Sequence, residues 1–148
     1  MMLYNPELAK DNCGFGLMAH LTGEVSHKLV RTAISSLARM AHRGGIAADG
    51  RTGDGCGLLL QKPDGFFQAI AGEMGWTLGG RYGVGMVFLS RDAARAATGR
   101  TIINEELARE TLAIAGWREV PVEPTVLGSF ARATMPGIAQ VVFNGPFG

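Results

Sequence analysis

Glycine constrains this chain more than any other residue. Twenty-two of its 148 residues are glycine, about twice the roughly 7% usual in globular proteins, and they gather at 14–16, 44–57 and 79–85. Without a Cβ a residue tolerates close backbone approach and positive φ, so those three stretches are where the chain turns tightly or where something must come close to it. Between them the composition is that of a folded domain. Hydrophobic residues make up 47% and charged residues 18%, unlike the low-hydrophobicity, high-charge signature of disorder, and the length suits one domain with a core. The formal charge is +1 with Lys and Arg scattered, which gives no footprint for nucleic acid or an anionic membrane surface. No apolar run reaches the roughly 20 residues that span a bilayer, and the opening MMLYNPELAKDN lacks the basic and apolar regions of a leader. A cytoplasmic location is expected.

Local patterning divides the chain into alternating elements. Residues 1–12 are polar and aperiodic, and Cys13-Gly-Phe-Gly-Leu-Met-Ala19 then opens an apolar run that predicts a buried strand. Leu29, Val30, Ala33, Ile34, Leu37, Ala38 and Ala41 recur at helical spacing, with Ser26 as N-cap and Gly44-Gly45 as the stop. Gly50–Gly57 predicts a loop carrying Asp54 and Cys56, Leu58-Leu59-Leu60 a short strand, and Phe66, Phe67 and Ile70 a second helix. Val84–Leu89 predicts a buried strand and Asp92–Ala115 a long helix, weakened by Gly99 and closed by Gly116. Trp117–Val120 and Ala139–Phe143 predict strands separated by a loop with Pro121, Pro124 and Pro136. The chain ends just after a strand-like run, Val141–Phe143, with no following element to cover it, so a truncated domain with an open apolar edge is expected.

Two cysteines, Cys13 and Cys56, are too few for a disulfide framework and are not spaced as a CxxC pair. Thiol chemistry is therefore the question to ask of them. Gly14 and Gly16 follow Cys13 closely and leave room beside its sulfur for a substrate carbonyl. Attack needs a base for the thiol proton. His20, on the same run, is seven residues away and too far along an extended chain for a direct hydrogen bond, while His27 and His42 lie on or at the ends of the helix, so spacing yields no Cys/His dyad. Removal of residues 1–12 would supply another base, the α-amine of Cys13 itself. An α-amine titrates near about 7.7–8.0 and a thiol near about 8.5, so proton exchange between them at neutral pH is close to balanced. A lone cysteine in an apolar strand is also an ordinary packing residue. The residues alone leave both roles open.

Cys13-Gly14-Phe15-Gly16, His42-Arg43-Gly44-Gly45 after an amphipathic helix, Ala48-Asp49, and Thr52-Gly53-Asp54-Gly55-Cys56-Gly57 resemble, in order and spacing, the start of the glutamate synthase large subunit. Asp64–Phe67, Gly85–Leu89 and Gly116-Trp117-Arg118 are similar to its bacterial NADPH-type members. The resemblance covers essentially the whole chain. It implies an α+β, N-terminal-nucleophile hydrolase-like domain, a class II glutamine amidotransferase with a four-layer αββα sandwich, present here as residues 13–148 in incomplete form and preceded by a propeptide of residues 1–12. Carried over by position, Cys13 resembles the nucleophile and Arg43 the arginine that packs close to it, with Gly14 beside them. Asp54 between glycines reads as a turn former, and Cys56, where alanine is common in the family, as small core filler.

The same resemblance implies L-glutamine as substrate, with ammonia passed to a separate site that makes glutamate from 2-oxoglutarate. FMN, an iron-sulfur cluster and NADPH are implied for the intact enzyme and none for this segment, together with the remainder of the large subunit and a small NADPH-oxidising subunit as partners. The family's Arg-Phe-Ser-Thr and His-Asn-Gly motifs, which hold the glutamine carboxylate and form the oxyanion hole, are absent from this sequence, so the segment alone is expected to be nearly inactive. Asn144-Gly145 follows Phe143 rather than His and precedes Pro146, and reads as a turn. Gly83-Val84-Gly85 runs into a strand where a nucleotide fingerprint requires a helix. Two other readings stand beside this one: an amidotransferase of the purine or glucosamine type, and a non-catalytic interaction domain with Cys13 as packing.

Overall fold

The computed structural model describes residues 14–41 and 44–146. The chain divides into two units, Met1–Gln61 and Lys62–Gly148.

In the first unit the amphipathic helix forms as expected. α1 spans His27–Arg39, and the Ser26 hydroxyl accepts the Leu29 N–H, satisfying one of the orphan donors of the first turn. It ends sooner than its apolar period suggests. The N–H of Met40 turns back to the Leu37 carbonyl, so Ala41 lies beyond the helix and Gly44-Gly45 do not stop it. The apolar runs on either side are not strands. Residues 14–20 and 54–61 have no regular structure, and Phe15, Leu17 and Leu59 are almost wholly exposed. A strand exists only where a neighbour completes its hydrogen-bond ladder, and among the described residues these runs have none.

The second unit is a three-stranded sheet in the order β1-β3-β2, with β1 at Tyr82–Leu89, β2 at Ala113–Glu119 and β3 at Gly137–Asn144. β3 runs antiparallel to both neighbours, so β1 and β2 are parallel to each other and joined through α3, Ala93–Arg109. Here the expectation of an uncovered terminal edge is overturned. Val141–Phe143 lies in the central strand, and Val141 and Val142, on opposite faces, are both buried. A strand buried on both faces reads as a continuous apolar run rather than an alternation, which is how Ile138–Phe143 is built, Gln140 apart.

Helices reach both faces of this sheet. Leu89, Ala139, Val141 and Trp117 share one face by register. α3 packs there: Trp117 Nε1 donates to Asn104 Oδ1 at 2.9 Å, and Arg100 pairs with Glu119. Gly99 has its reason in this contact, because a Cβ on it would sit 3.4 Å from Leu89 Cδ2. On the other face Trp76 occupies the space a side chain at Gly116 would need. Trp76 directly follows α2, Asp64–Met74, which ends at Gly75 with φ 69°. Phe67 and Ala71 of α2 are buried, while Met86 and Phe88 on β1 stay half or more exposed.

Three further boundaries differ from the sequence reading. α3 stops at Arg109 instead of running to Ala115, Gly116 is inside β2 rather than closing a helix, and the proline-bearing loop holds a 3₁₀ turn at Pro124–Val126 and a short helix, α4, at Ser129–Thr134. Ala113–Glu119 pairs with β3 through a bulge between Ile114 and Gly116. Cross-strand pairing there outweighs the helix propensity of the alanines.

Candidate functional site

Cys13, Arg43 and His42 lie outside the described residues. Gly14 is exposed, without regular structure. What the structure does define is the backbone on the C-terminal side of Arg43. Ile46 and Gly53 form an antiparallel bridge, the Ala47 N–H donates to the Thr52 carbonyl at 2.7 Å, and the Gly50 N–H donates to the Ala47 carbonyl at 2.9 Å. Gly50, at φ 67°, follows Asp49, the Asp-Gly pair that favours tight hairpins. The Asp49 carboxylate holds the tip, accepting the Arg51 and Thr52 N–H groups and the Thr52 hydroxyl at 2.6–3.0 Å.

The open end of this hairpin is closed by Asp54. Its Oδ2 accepts the Gly45 N–H at 2.7 Å, and its own N–H donates to the Gly45 carbonyl at 3.1 Å. Both glycines lie against it: a Cβ at Gly45 would stand 3.4 Å from Asp54 Oδ2, and one at Gly44 3.9 Å from the Asp54 Cβ. Reading Asp54 as a turn former caught the residue type and missed the partner nine positions upstream. The available signal was the Asp-Gly pair midway between Gly45 and Asp54. Cys56 is exposed, which corrects its reading as core filler. The apolar run after it is exposed as well, so among the described residues no core forms around it.

In the second unit the candidate features are structural. The Asn144 amide is engaged at both ends, its Oδ1 accepting the Gly79 N–H at 2.8 Å and its Nδ2 donating to the Thr77 carbonyl at 3.0 Å, so it pins the segment before β1. Gly83 and Gly85 sit within β1, opposite Phe143 and Val141. A Cβ on Gly83 would be 2.5 Å from the Phe143 ring, so the space that a phosphate-binding glycine would leave open is filled by an aromatic side chain. A groove of about 440 Å³ is lined mainly by apolar side chains, Val122, Pro124, Leu127, Met135 and Ile138 among them, with Glu123 and Thr134 as its polar members. At the start of α2, Asp64 Oδ1 accepts the Tyr82 hydroxyl at 2.6 Å and pairs with Lys62 at 2.9 Å, while Lys62 Nζ also stands 3.2 Å from the Tyr82 ring centroid. Hydrogen bonding from Tyr82, then from Lys62, holds the Asp64 carboxyl below its ordinary value. Among the described residues no group of three or more His, Cys, Asp or Glu is arranged to hold a metal ion, and no helix is long and apolar enough to cross a membrane.

Residues 13–147 match the family "Glutamine amidotransferases class-II", a match that starts at Cys13 and runs through the hairpin and both units. The chain belongs to this family. Its relatives include the glutamate synthase [NADPH] large chain of Bacillus subtilis, 40% identical over 139 residues covering 94% of this chain and 9% of that protein. Also similar are the glutamate synthase [NADH] of Schizosaccharomyces pombe, 40% identical over 93% of this chain and 7% of the relative, and the ferredoxin-dependent glutamate synthase 2 of Synechocystis sp., 38% identical over 94% and 9%. The chain thus spans less than a tenth of the length of these relatives. It is similar to the N-terminal region of glutamate synthase large chains. Three kinds of electron donor appear in those names at nearly equal identity, so the NADPH type is not favoured over the others. The class II amidotransferase domain and its mixed helix and sheet content agree with the sequence reading.

Proposed function

We propose that this chain is part of the glutaminase domain of a glutamate synthase, with Cys13 as nucleophile. The observation that carries the reading is the family match beginning at Cys13, taken with the glutamate synthase names of its relatives. After removal of residues 1–12, the α-amine of Cys13 takes the thiol proton. The sulfur attacks the side-chain carbonyl of L-glutamine, and the tetrahedral intermediate collapses to a thioester as the proton passes to the departing ammonia. Water, deprotonated by the same amine, then releases glutamate and restores the thiol. Arg43 lies beside the nucleophile in this reading, and Gly14 leaves space for the substrate. The completed domain is a four-layer αββα sandwich. Ammonia would be consumed elsewhere in the intact protein, in the reductive amination of 2-oxoglutarate to glutamate, for which FMN, an iron-sulfur cluster and NADPH, NADH or ferredoxin would supply the electron chemistry, with a small NADPH-oxidising subunit as partner in the NADPH case.

The test is Cys13→Ala in the full-length protein. Glutamine-dependent glutamate formation should fall to background while ammonia-dependent formation stays near wild type, and Cys56→Ala should leave both nearly unchanged. Mass spectrometry of the active protein should find Cys13 as its first residue. A glutaminase still carrying Met1–Asn12 would overturn the amine as base.

A further inference from the structure

We propose that Asn144-Gly145 is a deamidation site gated by the fold, closed while the end of β3 is held and irreversible once that end has opened and reacted. An asparagine followed by glycine is chemically labile, because no Cβ shields the backbone nitrogen that attacks the side-chain amide. That nitrogen, on Gly145, gives up its proton and bonds to Asn144 Cγ, while the Cγ–Nδ2 bond breaks and ammonia leaves with the proton. Water then opens the cyclic imide to aspartate or isoaspartate, so the sum is hydrolysis of an amide and nothing is oxidised or reduced. In the folded chain both reacting groups are held. The Gly145 N–H donates to the Arg81 carbonyl at 2.9 Å, Asn144 Oδ1 accepts the Gly79 N–H at 2.8 Å, and Nδ2 donates to the Thr77 carbonyl at 3.0 Å. The Asn144 backbone is also paired on both sides, opposite Tyr82 of β1 and Ala113 of β2. Ring closure needs the amide to turn toward the Gly145 nitrogen, so it waits on local opening of these bonds. The product cannot restore them. An ionised aspartate at this position has acceptor oxygens only, so one would face the Thr77 carbonyl with no proton between them. Isoaspartate adds a methylene to the backbone of the central strand and puts its ladder out of register.

The experiment incubates the full-length protein at mildly alkaline pH, native or unfolded in urea, and follows conversion at Asn144 by peptide mapping with isoaspartate detection. Wild type should convert readily when unfolded and at least about tenfold more slowly when native, in proportion to the time the end of β3 spends open. Equal rates in the two states would overturn the proposal, as would an unfolded chain that does not convert. Gly145→Ala separates the chemistry from the fold. Its Cβ would make ordinary contact with Arg81, 3.5 Å from the carbonyl oxygen, so the native bonds stay, but it shields the attacking nitrogen and should slow the unfolded reaction severalfold. Conversion of the unfolded variant at the wild-type rate would rule out attack by Gly145. The product is tested with Asn144→Asp, in which peptides covering residues 77–82 should exchange amide hydrogen on the order of tenfold faster than in wild type. Unchanged exchange there would show that the closed state survives conversion and overturn the proposal. Should Asn144→Asp fail to fold, the same exchange is read on wild type aged until partly converted. The converted fraction should exchange faster, and matching rates would overturn the proposal.

Discussion

Thr111 adopts φ 58°, the one positive-φ position among the described residues that is not glycine. It follows α3 and lets the Leu112 N–H reach back to the Leu107 carbonyl at 2.9 Å and its own N–H to the Ala108 carbonyl at 3.0 Å, the paired bonds that close a helix through a left-handed residue. A β-branched side chain is a poor occupant of that region, and an L-residue there costs about 1–2 kcal/mol. Thr111→Asn should therefore raise the unfolding free energy by about 1 kcal/mol in denaturant titrations, because asparagine tolerates this conformation. An unchanged or lowered midpoint would show that the threonine hydroxyl, which donates to the Glu110 carbonyl at 2.7 Å, offsets the backbone strain. None of this could be read from the sequence. Gly116 had looked like the stop, five residues late, because the alanines between carry no signal for the change from helix to strand.

At the scale of elements, the start of α2 is tied to β1 through Asp64 and Tyr82. Asp64 is depressed below its ordinary 3.8, first by the Tyr82 hydroxyl and then by Lys62. A carboxyl held lower in the folded state than in the unfolded one contributes stability that is complete above 3.8 and is lost as pH falls through its folded value. Tyr82→Phe should be less stable than wild type near neutral pH, and the difference should shrink as the solution is acidified below about pH 4. Chemical denaturation of the two proteins across that range tests the sign. A constant difference would place the effect in the packing of the ring rather than in the carboxylate. α1, by contrast, was legible at once, since its N-cap, period and side-chain hydrogen bond are all local.

For the whole molecule, the sheet is better closed than its sequence suggests. β3 lies between two strands with Val141 and Val142 buried, each side chain contributing about 1.5–3 kcal/mol by its removal from water. An open terminal edge is therefore no reason for this chain to associate. The half-exposed Met86 and Phe88 on β1 are the better one. Activity is a separate matter. The sequence holds neither Arg-Phe-Ser-Thr nor His-Asn-Gly, and loss of a single oxyanion donor costs on the order of 100- to 1000-fold. A purified 13–148 chain should release ammonia from glutamine at least about 100-fold more slowly than the full-length protein. Comparable rates would show that residues 13–148 supply the oxyanion hole themselves.

By itself the sequence determined what rests on neighbours a few residues apart: the capped helix at His27–Arg39, the helix at Asp64–Met74, the positions of two of the three strands and the Cys13-Gly14-Phe15-Gly16 run that anchors the family resemblance. Tertiary structure decided what rests on distant partners. It extended the strand expected at Trp117–Val120 back to Ala113, moved Val141–Phe143 from an edge to the centre, exposed Cys56 and closed Asp54 onto Gly45. The physical reason is the range of the interactions. Caps and helical periods are settled within about four residues, whereas a strand's ladder and a carboxylate's acceptor bond depend on which remote segment arrives beside them.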